Sequence, residues 1–219
     1  MERGKFIVFE GVGGCGKTTQ IKNAGNYLTE KGFDVIVTRE PGGVEASEKI
    51  RDLIFKLKSE GIANADHQTA LFFASRCIWL DSLVKPSIRK GKIVLSDRFD
   101  SSTNAYQGWA EGGNKKTIER FSEAVSDGFK PDAIILIRVS AQIAIERKSK
   151  NKEGDPFDNE DLNYFKKLVA GYDDMAKNKW RGISWFVVNG EKSMKEVAGD
   201  INAILDKVVG GERNDRQNF

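Results

Sequence analysis

Residues 6–19 read Phe6-Ile7-Val8-Phe9-Glu10-Gly11-Val12-Gly13-Gly14-Cys15-Gly16-Lys17-Thr18-Thr19, and this stretch decides the fold. The apolar residues at its start predict a buried strand, which leads into Gly-x-x-x-x-Gly-Lys-Thr and then into a helix. Glycines allow backbone conformations that other residues avoid, so several N–H groups can point into one concavity. The helix adds the positive end of its dipole. The pattern predicts a loop that binds the phosphates of a nucleoside triphosphate.

Each part of this loop has an expected task. Lys17 is predicted to reach the β- and γ-phosphates, and the Thr18 hydroxyl is predicted to coordinate Mg²⁺. The expected cofactors are therefore ATP and Mg²⁺. The other residues predicted to surround the nucleotide are Gly11, Val12, Gly13, Gly14, Cys15, Gly16 and Thr19. The alternative is a glycine-rich turn without a ligand, which the fixed spacing of the Lys-Thr pair after a strand disfavours.

Composition narrows the class of protein. The chain has 219 residues, enough for one substantial core, and its 39% hydrophobic and 31% charged residues are ordinary for a globular protein. A net charge of +3 is too small to indicate a nucleic-acid surface. No apolar run approaches the roughly 20 residues that span a bilayer, and the first strand leaves no room for a signal peptide. Two cysteines, Cys15 and Cys77, fit a reducing compartment, so we expect a cytoplasmic protein.

Strand-like and helix-like segments alternate along the chain. Short runs rich in β-branched residues predict further buried parallel strands at 33–38, 93–96, 133–137 and 185–188. Helix-length segments lie at 18–31, 44–58, 67–90, 115–127, 141–150, 160–179 and 193–209. This alternation predicts a five-stranded parallel sheet with helices on both faces and ligands at the carboxyl ends of the strands. We expect one domain over 1–209 and a frayed tail over 210–219.

Polar segments follow two of these strands, and others lie on or between the helices. Thr38-Arg39-Glu40-Pro41-Gly42-Gly43 follows the second strand, and Ser96-Asp97-Arg98-Phe99 ends the third, with Ser101-Ser102-Thr103-Asn104-Ala105-Tyr106-Gln107-Gly108 close behind. Phe72 and Arg76 are four residues apart and share a helix face. A polar, cationic segment at about 147–158, which we call the lid, separates two helices.

Together these motifs resemble the thymidylate kinases, which transfer a phosphoryl group from ATP to dTMP. The resemblance runs from Phe6 to about Val209, and its most specific parts are Thr-Arg-Glu-Pro-Gly-Gly and Asp-Arg-Phe…Ala-Tyr-Gln-Gly. It implies a three-layer P-loop NTPase fold of the nucleoside monophosphate kinase type, with a short lid. It also implies dTTP synthesis in the cytoplasm, small-molecule substrates only, no membrane partner and, as is usual in the family, a homodimer.

The resemblance also assigns the acceptor side of the site. Arg39 and Arg98 match positions that contact the acceptor phosphate, and arginine can bind phosphate bidentately. Phe72 resembles the ring that stacks on thymine, and Arg76 resembles its partner that hydrogen-bonds O4. Tyr106 matches the tyrosine that packs where a ribose 2′-hydroxyl would lie. The remaining expected substrate contacts are Glu40, Phe99, Thr103 and Gln107.

Two acidic residues have more open assignments. Asp97 follows an apolar strand and resembles a Walker B aspartate, a direct or indirect Mg²⁺ ligand. The alternative is a carboxylate paired with Arg98 or with a backbone donor. Glu40 is expected to orient arginines or the acceptor sugar rather than act as a base, because a phosphate acceptor is already largely ionised at neutral pH.

The chain departs from the family pattern in the loop and in the lid. Gly13 stands where an acidic residue is usual, which leaves Glu10, Glu40 or Asp97 to cover that task, or leaves it undone. Gly14 matches the subgroup whose catalytic arginine comes from the lid, as in bacterial members, and Arg147 is the one arginine of the lid. Asp155-Pro156 stands where Asp-Arg is expected. The lid lysines Lys148, Lys150 and Lys152 can add charge but not the bidentate geometry of arginine, and they can equally be a solvated surface.

Three functional hypotheses follow. The leading one is a dTMP kinase with Lys17, Arg98 and Arg147 as catalytic residues. The second is a kinase for another deoxynucleoside monophosphate or for a nucleoside, although an unphosphorylated acceptor needs a general base and less cationic charge. The third is a non-enzymatic P-loop switch or ATP-binding module. The cationic lid and the missing Asn-Lys-x-Asp guanine signature disfavour that reading.

Overall fold

The fold is an open sheet of five parallel strands, seen in a computed structural model that describes residues 3–149, 157 and 161–210. The strands lie in the order β2-β3-β1-β4-β5 and pair in parallel throughout. Their bounds are β1 Phe6–Glu10, β2 Val35–Arg39, β3 Ile93–Asp97, β4 Ala133–Arg138 and β5 Trp185–Asn189. The predicted α/β class and five-stranded parallel sheet are confirmed.

Helices connect the strands and cover the sheet. The α-helices are α1 Lys17–Glu30, α2 Glu45–Ser59, α3 Ala65–Trp79, α4 Lys85–Arg89, α5 Asp100–Thr103, α6 Lys115–Ser126, α7 Ala141–Ser149, α8 Leu162–Lys177 and α9 Met194–Gly210. Leu80–Val84 and Asn104–Ala110 are π-helical, and Trp180–Gly182 is a 3₁₀ turn. Gly210, the first residue of the predicted tail, is the last residue of α9.

Two helical predictions need correction. The single helix expected over 67–90 is interrupted by the π-helical segment Leu80–Val84, which ends directly before Lys85-Pro86. Proline cannot donate a backbone hydrogen bond, so a helix that continues past Pro86 has to lose regular bonding there. The helical run from Asp100 to Ala110 was not predicted, because its serines, asparagine and glycine have low helix propensity.

The core lies on both faces of the sheet. Alternate side chains of β1 point to opposite faces, so Ile7 and Phe9 join one apolar cluster and Phe6 and Val8 join the other. The expectation of buried strands is correct for the three inner strands and wrong for the two edges. Val37 in β2 and Val187 in β5 are 49% and 57% exposed. An edge strand has a neighbour on one side only, and these side chains remain open to solvent.

The register brings the polar strand ends together. Asp97 lies opposite both Phe9 and Arg39 in the parallel ladders, so the ends of β1, β2 and β3 meet at one edge of the sheet. The phosphate-loop motif begins at the same edge, directly after β1. The sheet therefore positions the predicted site as the carboxyl ends of parallel strands require.

Some predictions fall on residues outside the described ranges. These are Lys150, Lys152, Asp155 and Pro156 of the lid, and 211–219 of the predicted tail. In the part of the chain that the structure describes, no helix is long and apolar enough to cross a bilayer.

Candidate active site

A cleft of about 1400 Å³ opens above the carboxyl ends of β1, β2 and β3. Its lining includes the phosphate loop from Gly13 to Thr19 and every other predicted site residue except Gly11 and Val12, which are buried in the turn before it. The predicted residues on the wall are Arg39, Glu40, Phe72, Arg76, Asp97, Arg98, Phe99, Thr103, Tyr106, Gln107 and Arg147. The structure thus collects residues from distant parts of the sequence into one site.

Two glycines of the loop, Gly11 and Gly14, leave no room for a side chain. Gly11 has φ +140°, and a Cβ there would lie 2.5 Å from the Ile137 carbonyl oxygen, so β4 blocks any side chain. Gly14 has φ +79°, and a Cβ there would lie 2.6 Å from the Ala144 carbonyl oxygen of α7. An arginine at position 14 would therefore collide with α7 as well as strain the backbone. The guanidinium group predicted from the sequence therefore cannot be supplied by position 14.

Lys17 is the first residue of α1, and its ammonium group turns back into the loop. Nζ donates to the Gly11 carbonyl oxygen at 2.8 Å and to the Val12 carbonyl oxygen at 3.4 Å. The side chain is buried, whereas Thr18 and Thr19 are exposed at the start of the helix. Cys15 is buried beneath the loop with its Sγ 3.7 Å from Nζ. The ammonium group is therefore held at the loop by carbonyl oxygens.

Glu10, the last residue of β1, is fully buried and accepts hydrogen bonds from α5 and α8. Its donors are the Phe99 and Ser102 amides, the Ser101 and Ser102 hydroxyls and the Tyr172 hydroxyl, at 2.6–3.2 Å. A carboxylate at a helix N-terminus is favourable, which explains why a helix forms at Asp100 despite its low propensity. Because its oxygens are taken by protein donors, Glu10 does not replace the acid missing at Gly13.

Arg98 follows β3 with φ +77°, an unusual conformation for a side chain this large. NH1 donates to the Gly11 carbonyl oxygen at 3.3 Å, to Ser102 Oγ at 3.0 Å and to the Tyr172 hydroxyl at 3.3 Å. NH2 donates to the Tyr106 hydroxyl at 3.0 Å. Within the described part of the chain, no carboxylate lies within ion-pair distance of this group and nothing accepts from Nε. These hydrogen bonds hold a charged group against the phosphate loop and maintain the unusual backbone conformation.

Arg76 and Glu40 form a close buried pair. Nε lies 2.5 Å from Glu40 Oε1, with both side chains at most 2% exposed, and NH2 donates to Thr103 Oγ1 at 3.0 Å. Burial raises the pKa of Glu40 to about 8, and the positive charge of Arg76 opposes that rise. Glu40 therefore contacts an arginine, one of the two partners expected for it. Its burial makes it a poor candidate for the acid missing at Gly13.

Arg39 is placed differently from the other arginines. Its NH2 group lies 3.0–3.1 Å from both carboxylate oxygens of Glu48, and the pair is exposed. Glu48 also accepts from the Gly43 amide at 2.8 Å, which lowers its pKa although partial burial works the other way. A phosphate that binds Arg39 has to compete with this carboxylate.

Aromatic rings form one end of the cleft. Phe72 faces Phe157, with ring centroids 6.2 Å apart, and Tyr106 meets Phe157 edge-on at 5.9 Å. Phe73 stacks on Phe121 instead and does not line the cleft. Phe99 is fully buried and packs edge-on against Phe6, so its ring lies mainly beneath the cleft.

Asp97 is, with Glu40, one of the two acidic side chains on the described cleft wall that have an oxygen without a hydrogen-bond donor. Oδ1 is buried, and within the described ranges nothing donates to it, so the alternative pairing with Arg98 or a backbone N–H is not seen. A carboxylate and the Thr18 hydroxyl are oxygen donors of the kind Mg²⁺ prefers. The described residues contain no preformed group of three acidic, histidine or cysteine ligands. That is compatible with a Mg²⁺ ion bound mainly by nucleotide and water.

Comparison with known proteins agrees with this site. The family model described as thymidylate kinase matches residues 9–201. The chain belongs to the thymidylate kinase family. Curated thymidylate kinases include one from Thermoanaerobacter sp. (strain X514), 35% identical over 94% of this chain and 100% of its own length. One from Geobacillus sp. (strain WCH70) is 38% identical over 95% and 99%. The crystal structure of thymidylate kinase from Ehrlichia chaffeensis matches with a TM-score of 0.75 and 29% identity, covering 93% of this chain and 99% of that one.

The predicted resemblance, the nucleoside monophosphate kinase fold and the assignment to an enzyme are therefore confirmed. The family also makes the protein a transferase of nucleotide biosynthesis. Neither the family nor the fold tests the role of any single residue. Those roles stay predictions, and the geometry above determines how each can be tested.

Arg147, the thymidylate kinase lid arginine expected here, is near the end of α7. NH1 donates to the Gly190 carbonyl oxygen at 2.9 Å, and the residue lines the cleft. The neighbouring Lys148 places Nζ 4.9 Å from the centre of the Phe165 ring. Arg147 therefore lies on the cleft wall and contacts the loop after β5.

Several residues in or beside the cleft were missed by the sequence reasoning. Arg51 on α2 donates to the Pro41 carbonyl oxygen at 3.2 Å and lines the cleft. Ser102 and Tyr172 contact Arg98, and Phe157 packs on Phe72. Ser102 lies in the polar segment after the third strand and Phe157 lies in the lid, but neither was given a role, and Arg51 and Tyr172 belong to no recognisable motif. The sequence does not show that Tyr172 is buried or that its hydroxyl contacts Arg98, and the structure shows both.

Proposed function

We propose that the protein transfers the γ-phosphoryl group of ATP to dTMP, giving ADP and dTDP for dTTP synthesis. Family membership supports the reaction. At the level of residues, the observation that carries it is Arg98: a guanidinium group held beside the phosphate loop, at the end of β3, with no carboxylate in ion-pair contact among the described residues. Such a group fits a second phosphate brought next to the first.

Catalysis then rests on positioning and charge. The loop N–H groups and Lys17 bind the phosphates of ATP, and Arg98 holds the acceptor phosphate in line with the γ-phosphate. Arg39 is the second candidate for that phosphate once it leaves Glu48. No side chain has to remove a proton, because the attacking phosphate oxygen is already ionised. Arg147 is proposed to contact the transferring group, since a side chain at Gly14 is sterically excluded.

Thr18 and Asp97 are proposed to hold Mg²⁺ on the phosphates. The metal, when bound, offsets negative charge on the phosphate oxygens. The unpartnered Oδ1 of Asp97 and the exposed Thr18 hydroxyl support this assignment.

The acceptor base and sugar are proposed to lie at the aromatic end of the cleft. Phe72 would stack on thymine, and Arg76 would donate to its O4 from the position fixed by Glu40 and Thr103. Gln107 donates to Gln68 at 3.0 Å, so its orientation beside the base is also set. Tyr106 is held by Arg98 on one side and faces the cleft, where it would exclude a 2′-hydroxyl.

We also propose a cytoplasmic homodimer. Apolar side chains on the outer faces of α2 and α6 support a helix-face interface: Leu53 is 43% exposed and Phe121 is 41% exposed. Phe121 stacks on Phe73 of α3, so the three helices adjoin. The two cysteines are unpaired, as in a reducing compartment.

The test is ADP formation from ATP and Mg²⁺ with dTMP, dUMP, dGMP, dCMP, thymidine or no acceptor. We expect dTMP to be the best acceptor, dUMP to be weaker and thymidine to be inactive. Lys17→Ala is the control and should abolish transfer in a folded protein, because its charge serves the phosphates and not the core. A purine monophosphate that outperforms dTMP would overturn the substrate assignment.

A further inference from the structure

Tyr172 on α8 is a buried polar residue for which no motif gives a reason. The residue is 1% exposed. Its hydroxyl lies 2.9 Å from Glu10 Oε2 and 2.9 Å from Ser102 Oγ, and it accepts a hydrogen bond from Arg98 NH1 at 3.3 Å. Burial, together with the charge of Glu10, raises the pKa of Tyr172 well above its usual range. The hydroxyl therefore keeps its proton and remains a donor.

Counting protons fixes the direction of these bonds. Each hydroxyl has a single proton. Glu10 Oε2 lies 2.9 Å from the Tyr172 hydroxyl and 2.7 Å from Ser102 Oγ, and a carboxylate is the strongest acceptor available to both. With both protons directed to Glu10, the Tyr172 and Ser102 oxygens present lone pairs to Arg98. The carboxylate thus converts two hydroxyls into acceptors for one guanidinium nitrogen.

The arrangement leaves one edge of Arg98 for a ligand. NH1 has three acceptors for its two hydrogens: Gly11, Ser102 and Tyr172. NH2 uses one hydrogen on Tyr106. The other NH2 hydrogen and the Nε hydrogen find no acceptor among the described residues. With Tyr106 accepting the NH2 hydrogen that faces NH1, the free NH2 hydrogen lies beside Nε–H, and the two form an edge that can bind two phosphate oxygens side by side.

We infer that Tyr172 is a positioning residue for Arg98: with Glu10 and Ser102 it anchors NH1, so that the Nε–NH2 edge is directed at the acceptor phosphate. The inference rests on the proposed function, which gives Arg98 that phosphate. Loss of a positioning residue of this kind lowers the affinity for ligands that carry the phosphate and leaves the affinity for ligands without it unchanged. A residue that only stabilises the fold affects both alike.

The experiment compares the affinities of dTMP and thymidine by calorimetry in the full-length protein. Tyr172→Phe removes the hydroxyl and keeps the ring. We expect it to weaken dTMP about tenfold, the effect of one hydrogen bond to a charged group, and to change thymidine less than about twofold. The matched control is Tyr164→Phe on the same helix, whose hydroxyl donates to Glu111 at 3.3 Å and not to this network. It should leave both affinities within about twofold.

A double-mutant cycle ties the effect to Arg98. In an Arg98→Ala background, Tyr172→Phe should weaken dTMP by less than about twofold further, because the group it positions is absent. Equal losses for dTMP and thymidine, an unchanged dTMP affinity, or a full tenfold effect without Arg98 would each overturn the inference. If Tyr172→Phe does not fold, Ser102→Ala removes the other hydroxyl and should give the same phosphate-selective loss.

Failure of the proposed function gives a different result from failure of the inference about Tyr172. In that case wild-type protein does not phosphorylate dTMP, and the same comparison is made with whichever nucleoside monophosphate it accepts and the matching nucleoside. A phosphate-selective loss with that pair supports the role of Tyr172 and corrects only the substrate.

Discussion

Arg98 and Arg76 line the same cleft, yet their surroundings differ in kind. Arg98 is held by a backbone carbonyl and by the hydroxyls of Ser102, Tyr172 and Tyr106. Arg76 is held by an acid, Glu40, and both side chains are buried. Hydroxyl and carbonyl acceptors orient a guanidinium group without forming an ion pair, whereas Glu40 cancels the charge of Arg76 once it ionises, above a pKa of about 8. The two environments suit different ligands.

The difference teaches how one cleft can discriminate two parts of a nucleotide. A dianionic phosphate is attracted by a guanidinium group that is in no direct ion pair, so the anchoring of Arg98 through hydroxyl and carbonyl oxygens serves affinity. A neutral base presents carbonyl and N–H groups, for which geometry matters more than charge, so the tight setting of Arg76 serves specificity. Substitutions at Arg98 and Arg76 should therefore separate phosphate affinity from base specificity.

The largest effect is expected from Arg98. Arg98→Ala should lower kcat/KM for dTMP at least about 10³-fold, the range for arginines that stabilise phosphoryl transfer. Steady-state kinetics measure it, and Arg39→Ala is the comparison variant. Because Arg39 is exposed and already shares its charge with Glu48, its loss should cost clearly less. A larger loss at Arg39 than at Arg98 would reverse the comparison.

A smaller effect is expected from Arg76. Arg76→Ala should weaken dTMP binding by about 1–3 kcal/mol, the range for a hydrogen bond involving a charged group. It also leaves Glu40 buried without its partner, so the free energy of unfolding should fall too. Calorimetry and urea denaturation measure the two quantities separately.

A double variant separates recognition from stability at Arg76. Arg76→Met combined with Glu40→Gln removes the pair without leaving an ionisable group buried alone. It should recover stability relative to Arg76→Ala and still bind dTMP weakly. Recovery of dTMP affinity as well would show that Arg76 acts on the fold and not on the base.

The smallest effect on activity is expected from Glu40, whose signature is pH dependence. With a pKa of about 8 when folded and about 4.5 when unfolded, Glu40 holds a proton in the folded chain that the unfolded chain releases between those values. Its contribution to stability is therefore full below pH 4.5 and is lost as the pH rises through 8. Relative to Glu40→Gln, the wild type should therefore lose unfolding free energy from about pH 5 to 8, and the difference between the two should stay constant above about 9. A difference that does not vary with pH would mean that Glu40 ionises normally.

The sequence was sufficient for the sheet and for the loop, because both depend on local patterns. Apolar runs and glycine spacing are read directly, and parallel pairing then forces Arg39, Asp97 and Arg98 to one edge. The contact between Arg98 and Tyr172 spans 74 positions, and no pattern connects them. Hydroxyls and buried acids act through their partners, which only the packed structure supplies. The residues of α5 look like a loop in the sequence because the group that caps them, Glu10, lies on another element.

Glu10 also bears on how the protein opens locally. Its carboxylate ties the end of β1 to the Phe99 and Ser102 amides and to α8, three segments far apart in the chain. Breaking one of these bonds exposes a buried charge, so the segments should open together rather than one by one. In native-state hydrogen exchange, the Phe99 and Ser102 amides would then share one protection factor, close to that of the central strands. The base of the active site would belong to the slowest-exchanging part of the molecule, while the surfaces that admit ligands exchange faster around it.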